Sequence, residues 1–177
     1  MNIFRRRLLA TVPLLSAVAL LGCANATVNG VTTLTINLVT LQAYAAAVKN
    51  GVATLLSIPV IGTALGSAKI VMINAVVADM AAQVAALNTA NNGVATLTFT
   101  ATSVPAALAA FATDAKAIMA DLVVVAASLS GSLAANVVTT VDALQTVLVL
   151  GEAVASSMVS AVPPKMSAPQ ALKILGA

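Results

Sequence analysis

The chain has no histidine and no tryptophan, a single cysteine, and only 7% charged residues. Each shortage closes off a class of chemistry. Without histidine the commonest general base and the commonest transition-metal ligand are both missing. Serine and thiol nucleophiles therefore lack their usual partner. One cysteine excludes an internal disulfide and a thiolate metal cage. Three Phe, one Tyr and no Trp leave almost nothing to stack on bases or sugars. The formal net charge is +3, but Arg5, Arg6 and Arg7 account for all of it. Beyond them Lys49, Lys69, Lys116, Lys165 and Lys173 balance Asp79, Asp114, Asp121, Asp142 and Glu152. The sequence pI near 9.4 is thus no sign of a nucleic-acid partner, because no basic patch lies beyond the arginines.

What the chain has in quantity is aliphatic surface: 60% of its residues are hydrophobic. The first 22 residues are ordered in zones. Met1 to Arg7 is basic, Leu8 to Leu21 is apolar apart from Thr11, Pro13 and Ser16, and a small residue and the cysteine follow. A basic front, an apolar core of about 7–15 residues and a small-residue junction make a secretory signal. The run is shorter than the ~20 residues of a membrane span, and Pro13 interrupts it.

The junction itself, Leu20-Leu21-Gly22-Cys23, resembles the lipobox of bacterial lipoprotein precursors. The resemblance covers about the first 24 residues. It implies diacylation of the Cys23 sulfur, cleavage before Cys23, and acylation of the new amino group, with palmitate among the chains. Two or more chains hold a protein stably at a bilayer, at roughly 0.8 kcal/mol per buried methylene. Ala24 stands where an aspartate would imply retention in the inner membrane, so the resemblance favours the outer membrane, facing the periplasm. Phe4-Arg5-Arg6-Arg7-Leu8-Leu9 also resembles a twin-arginine export signal, without the usual Ser or Thr ahead of the arginines. A plain basic front explains it equally well.

Removal of the leader leaves 155 of the 177 residues, enough for one domain with a sizeable core. Residues 23–30 read as a lipidated tether, and Asn25-Ala26-Thr27 within it matches a glycosylation acceptor. Residues 31–162 carry apolar seams at alternating spacings of three and four, the pattern of packed helices. The first is Val31, Leu34, Leu38, Leu41, Ala45, Val48, Val52 and Leu55. The second is Ile70, Ile73, Val77, Met80, Val84 and Leu87. The third is Val104, Leu108, Phe111, Ala115, Ile118, Leu122, Val125 and Leu129. The fourth is Val137, Val141, Leu144, Leu148, Gly151, Ala155 and Met158. Every charged residue falls off the seams. Pro59, Asn91-Asn92-Gly93, Ser130-Gly131-Ser132 and Pro163-Pro164 punctuate them. The expectation is an all-α fold, an antiparallel four-helix bundle with heptad-like packing, closed by a Pro-containing tail over 163–177.

Val94 to Thr102 breaks the helical pattern: Leu97, Phe99 and Ala101 alternate with threonines. A lone strand has no partner in an all-α chain, so the expectation is an extended loop, with Ser103 as the N-cap of the next helix. A short repeat also runs through the chain. Asn29 to Leu34, Asn50 to Leu55 and Asn92 to Leu97 are near copies, and Asn136 to Val141 is a weaker fourth. Their spacing is too irregular for a solenoid.

Candidate sites for chemistry are few. Asp114 and Asp121 lie two helical turns apart, about 10 Å, which is loose for a pair of glycosidase carboxylates. They read instead as a solvated stripe on one helix, and Asp79, Asp142 and Glu152 as surface charges. Gly62-Thr63-Ala64-Leu65-Gly66 suits close helix packing and lacks the lysine and spacing of a phosphate loop. Met72, Met80, Met119 and Met158 read as core filler. Catalytic residues, metal ligands and cofactors are therefore assigned to none, and the chain is read as a non-enzyme. The function expected is that of a lipid-anchored cell-envelope protein with a structural or interaction role. Its partners are the membrane, through lipid on Cys23, and another protein or a second copy. The alternatives are a membrane-active or pore-forming protein, for which residues 122–141 hold no charge over 20 positions, and a carrier of apolar ligands.

Overall fold

The computed structural model describes residues 23–29, 31–100, 102–128, 135–156 and 164–177. Three strands and six helices follow one another: β1 (Cys23–Val28), β2 (Val31–Asn37), α1 (Leu38–Leu56), α2 (Pro59–Leu65), α3 (Ser67–Ala90), β3 (Thr96–Thr100), α4 (Ala106–Ser128), α5 (Ala135–Ser156) and α6 (Ala168–Ile174). The all-α four-helix bundle is therefore corrected. The protein is mostly helical but also carries a three-stranded antiparallel sheet, in the order β1-β2-β3.

The sheet overturns two expectations with one cause. By spacing alone, residues 31–37 read as the start of the first helical seam. Leu34 and Leu38 are four apart, which places them on one face of a helix. Because four is even, it also places them on one face of a strand. Val31 separates the two cases. A helix would bury it with Leu34; in the sheet it lies on the opposite face and is 53% exposed. Five of the seven residues of β2 are Val, Thr or Ile, whose branched side chains suit a pleated surface better than a helix. Once β2 is a strand, β3 has its partner, with Thr35 opposite Thr98 and Leu34 opposite Phe99. The extended loop expected at 94–102 is thereby replaced by a paired strand over 96–100. The expected tether supplies the other edge: β1 pairs with β2 from Cys23 opposite Ile36 to Val28 opposite Val31. Asn29, at φ 50°, sits in the tight turn between them.

One face of this sheet is apolar and buried, with Leu34, Ile36 and Phe99. The other carries Thr33, Thr35, Thr98 and Thr100, and the Thr35 and Thr98 hydroxyls are 3.0 Å apart.

Asn37 ends β2 and starts α1. Its side-chain oxygen accepts the N–H groups of Val39 at 2.9 Å and Thr40 at 3.2 Å, satisfying two of the donors that a helix start leaves free. The Leu38 N–H goes instead to the Ala95 carbonyl at 2.8 Å, which ties the helix start to the segment leading into β3. At the end of α3, the Asn91 amide donates to the carbonyls of Val94 at 2.9 Å and Thr96 at 2.7 Å.

Within the helices the seams mark the core. Leu38, Leu41, Ala45, Val48, Val52 and Leu55 are buried on α1, and Ile73, Val77, Met80, Val84 and Leu87 on α3. So are Leu108, Phe111, Ala115, Ile118 and Leu122 on α4, and Val137, Val141, Leu144 and Leu148 on α5. Each fully buried large side chain contributes roughly 1.5–3 kcal/mol. The seam residues Val125, Leu129, Ala155 and Met158 lie outside the residues whose side chains are described. The helix α1 packs on α3 and α5, and α4 packs on the same two, closing a ring around the core. Pro59 opens α2, which turns from α1 by 95°. The C-terminal tail folds back as α6 onto α5 and α1. Its first turn is held where the Ser167 N–H donates to Gln170 Oε1 at 3.2 Å. The preceding segment is fastened by the fully buried Thr146, whose hydroxyl donates to the Asp142 carbonyl and accepts the Lys165 N–H.

Candidate functional site

The site residues named from the sequence are Leu20, Leu21, Gly22 and Cys23. Leu20, Leu21 and Gly22 lie outside the described residues, and for Cys23 the backbone alone is described. That backbone has a definite place: Cys23 is the first residue of β1, in register with Ile36. It stands at the end of the sheet where β2 passes into α1 and where the α3–β3 turn, residues 91–95, approaches. The sequence reads as a short tether of seven residues, 24–30, between Cys23 and the folded body. The structure puts none there, because β1 is already part of the sheet.

Three of the acids of the helical body, Asp114, Asp121 and Glu152, are engaged in cross-links between helices. Lys69 on α3 lies 2.6 Å from Asp121 on α4. Gln83, further along α3, donates its amide N–H to Asp114 at 2.6 Å. Lys116 on α4 lies 3.1 Å from Glu152 on α5. Asp114 and Asp121, weighed above as a carboxylate pair, thus face separate partners on α3, and both are half-buried. They join α4 to α3 and do not form one solvated stripe. The lysine partners were hidden in the sequence because they lie on other helices, 52 residues from Asp121 and 36 from Glu152. Among the described residues no three His, Cys, Asp or Glu side chains come together as a metal site would need.

One cavity of about 20 Å³ lies among Val52, Leu55, Ile61, Ile73, Ile118 and Leu122, with Asp121 also in its lining. A space of that size holds about one water molecule. It is far smaller than the site a lipid chain or an apolar metabolite fills, so this cavity lends the carrier reading no support. Met80 is buried in the core as expected, whereas Met72 is 59% exposed on the first turns of α3.

Two glycines set how closely the helices approach. A methyl group on Gly51 would lie 2.6 Å from Leu175 and 2.7 Å from Leu144. One on Gly151 would lie 3.0 Å from the Phe111 ring. Gly51 lets α5 and the C-terminal Leu175 come against α1. No family model matches the chain, and neither a curated protein nor a solved structure matches it.

Proposed function

We propose that this chain is a lipid-anchored helical protein of the bacterial cell envelope, with a non-catalytic structural or interaction role. The observation that carries the reading is the placement of its one cysteine. Cys23 closes Leu20-Leu21-Gly22-Cys23 at the end of a leader that is first basic and then apolar. Diacylation of its sulfur and cleavage before it leave a mature chain that starts at the first residue of β1. Two acyl chains suffice for stable anchoring. With Ala24 after the cysteine, the outer membrane facing the periplasm is the favoured site. The body supports the non-catalytic part of the reading: Asp114, Asp121 and Glu152 each join two helices.

Globomycin, which blocks cleavage of lipoprotein precursors, tests this. The uncut precursor should accumulate on treatment, and labelled palmitate should enter the chain only when residue 23 is cysteine. Normal processing under globomycin, or equal labelling of Cys23→Ser, sinks the proposal.

A second reading, a membrane-active protein, draws on α3. This helix has 24 residues, about 36 Å at 1.5 Å each, and an 18-residue window of mean hydropathy 1.9 that is only 28% buried. Against insertion stand Asp79, exposed in mid-helix, and Lys69, held by Asp121. Dye release from liposomes by the soluble Cys23→Ser mature chain favours this second reading; intact liposomes favour the first.

A further inference from the structure

We infer that the end of the molecule at which β1 begins rests directly on the lipid surface, so that the sheet stands end-on to the bilayer. The inference depends on lipid attachment at Cys23 and goes beyond it to the orientation of the body.

Three observations lead there. First, the leader ends at Cys23, and Cys23 is already a paired strand residue opposite Ile36. A lipid on Cys23 therefore has no slack between it and the folded body. A strand advances about 3.3 Å per residue, so Val28, at the far end of β1, is carried roughly 17 Å from Cys23. Second, the described residues that form this end carry no charge. Residues 24–48 and 80–113 contain no Lys, Arg, Asp or Glu. The described residues among them form the sheet, the first half of α1, the last part of α3, the turn that joins α3 to β3 and the first two turns of α4. Along α1 the first charge after Leu38 is Lys49, and along α3 the last before Ala90 is Asp79. Both are 11 residues away, about 16 Å at 1.5 Å per residue. Third, this end exposes apolar side chains, a feature it shares with the far end of the sheet, where Val28 is 66% and Val31 53% exposed, so that the position of Cys23 is what selects it. Val39, in the first turn of α1, is 58% exposed, and Val94, just before β3, is 54% exposed.

A surface of uncharged asparagines, threonines and two valines suits the headgroup–acyl boundary. Polar groups there keep their hydrogen bonds, and apolar ones leave water. No ion has to be desolvated, which is the cost that keeps charged faces off the acyl region. A charge-free contact also has no preference for anionic lipid, since polybasic attraction is what produces one.

The test uses the acylated mature protein, beginning at Cys23, inserted into preformed phosphatidylethanolamine–phosphatidylglycerol vesicles. With the Cys23 sulfur acylated, one introduced cysteine can carry an environment-sensitive nitrobenzoxadiazole dye. Val39→Cys and Val94→Cys should show blue-shifted emission and dithionite quenching several-fold slower than Val28→Cys and Ile174→Cys. The contrast should persist at high salt and in vesicles without phosphatidylglycerol. All four positions are exposed valines or isoleucines, so the changes leave the core intact. Equal quenching at all four with Cys23 acylated overturns the inference while leaving the anchor in place. Equal protection of Val28→Cys and Val39→Cys also overturns it, because the sheet then lies flat. A Cys23 that takes up the dye removes the anchor itself, and the orientation falls with it.

Discussion

Gly51 on α1 and Leu144 on α5 meet with no room for a methyl group between them, since a β-carbon on Gly51 would stand 2.7 Å from Leu144 Cδ2 and 2.8 Å from its Cγ. Leu144 is fully buried, so it cannot swing into solvent to make space. Two effects then oppose each other in Gly51→Ala. The alanine gains about 1 kcal/mol of helix propensity, while forcing a methyl into a filled core costs about 1–3 kcal/mol. The contact with backbone-proximal Cγ as well as Cδ2 favours the steric side. Gly51→Ala is expected to lower stability in urea denaturation by about 1 kcal/mol. A gain in stability would mean that α1 and α5 are further apart than described.

Asn37 does two jobs, ending β2 opposite Thr96 and capping α1. Asn37→Ala should cost about 0.5–2 kcal/mol, as loss of a side-chain cap does, and Asn37→Asp should restore most of it. For a chain of this size each kcal/mol moves the melting temperature by about 2–4 °C. If Asn37→Ala and Asn37→Asp melt together, the cap does not contribute.

The Lys69–Asp121 pair is short, but Lys69 is 41% exposed. Solvent screening therefore limits what the pair contributes. A double-mutant cycle with Lys69→Met and Asp121→Asn should give a coupling of about 0.2–1 kcal/mol, reduced by added salt. A larger, salt-insensitive coupling would mean that the pair is more enclosed than it is here.

The seams on α3, α4 and α5 were readable because one helix face is enough to specify them. The sheet was not, for a reason that one peptide makes concrete. Asn50 to Leu55 and Asn92 to Leu97 are the same six residues, Asn-Gly-Val-Ala-Thr-Leu. The first copy lies wholly within α1, while the second makes the turn after α3 and the start of β3. What differs is the context. The second copy continues into Thr98-Phe99-Thr100, whose alternation matches β2, and Asn92 and Gly93 adopt positive φ of 53° and 72°. The first copy is held by Leu144 of α5 and by Leu175, just after α6, packing over Gly51. Long-range packing decides between the two, and no local pattern contains it. The run of Val, Thr and Ile over 31–37 was the local sign of a strand, but the exposure of Val31, which separates strand from helix, is a property of the fold. Cys23 was legible as a candidate from its leader, but its place at the head of a strand depends on β2, and so was not.

The central claim, an anchor at Cys23, is tested most directly by the intact mass of the protein purified from membranes. The expected species is a chain beginning at Cys23 whose mass exceeds that of the bare polypeptide by a thioether-linked diacylglycerol, and by a third acyl chain where the amino group is modified. Resistance of that added mass to hydroxylamine would separate the thioether from a thioester. A chain that keeps residues 1–22, or one cut elsewhere with a free Cys23 thiol, would contradict it.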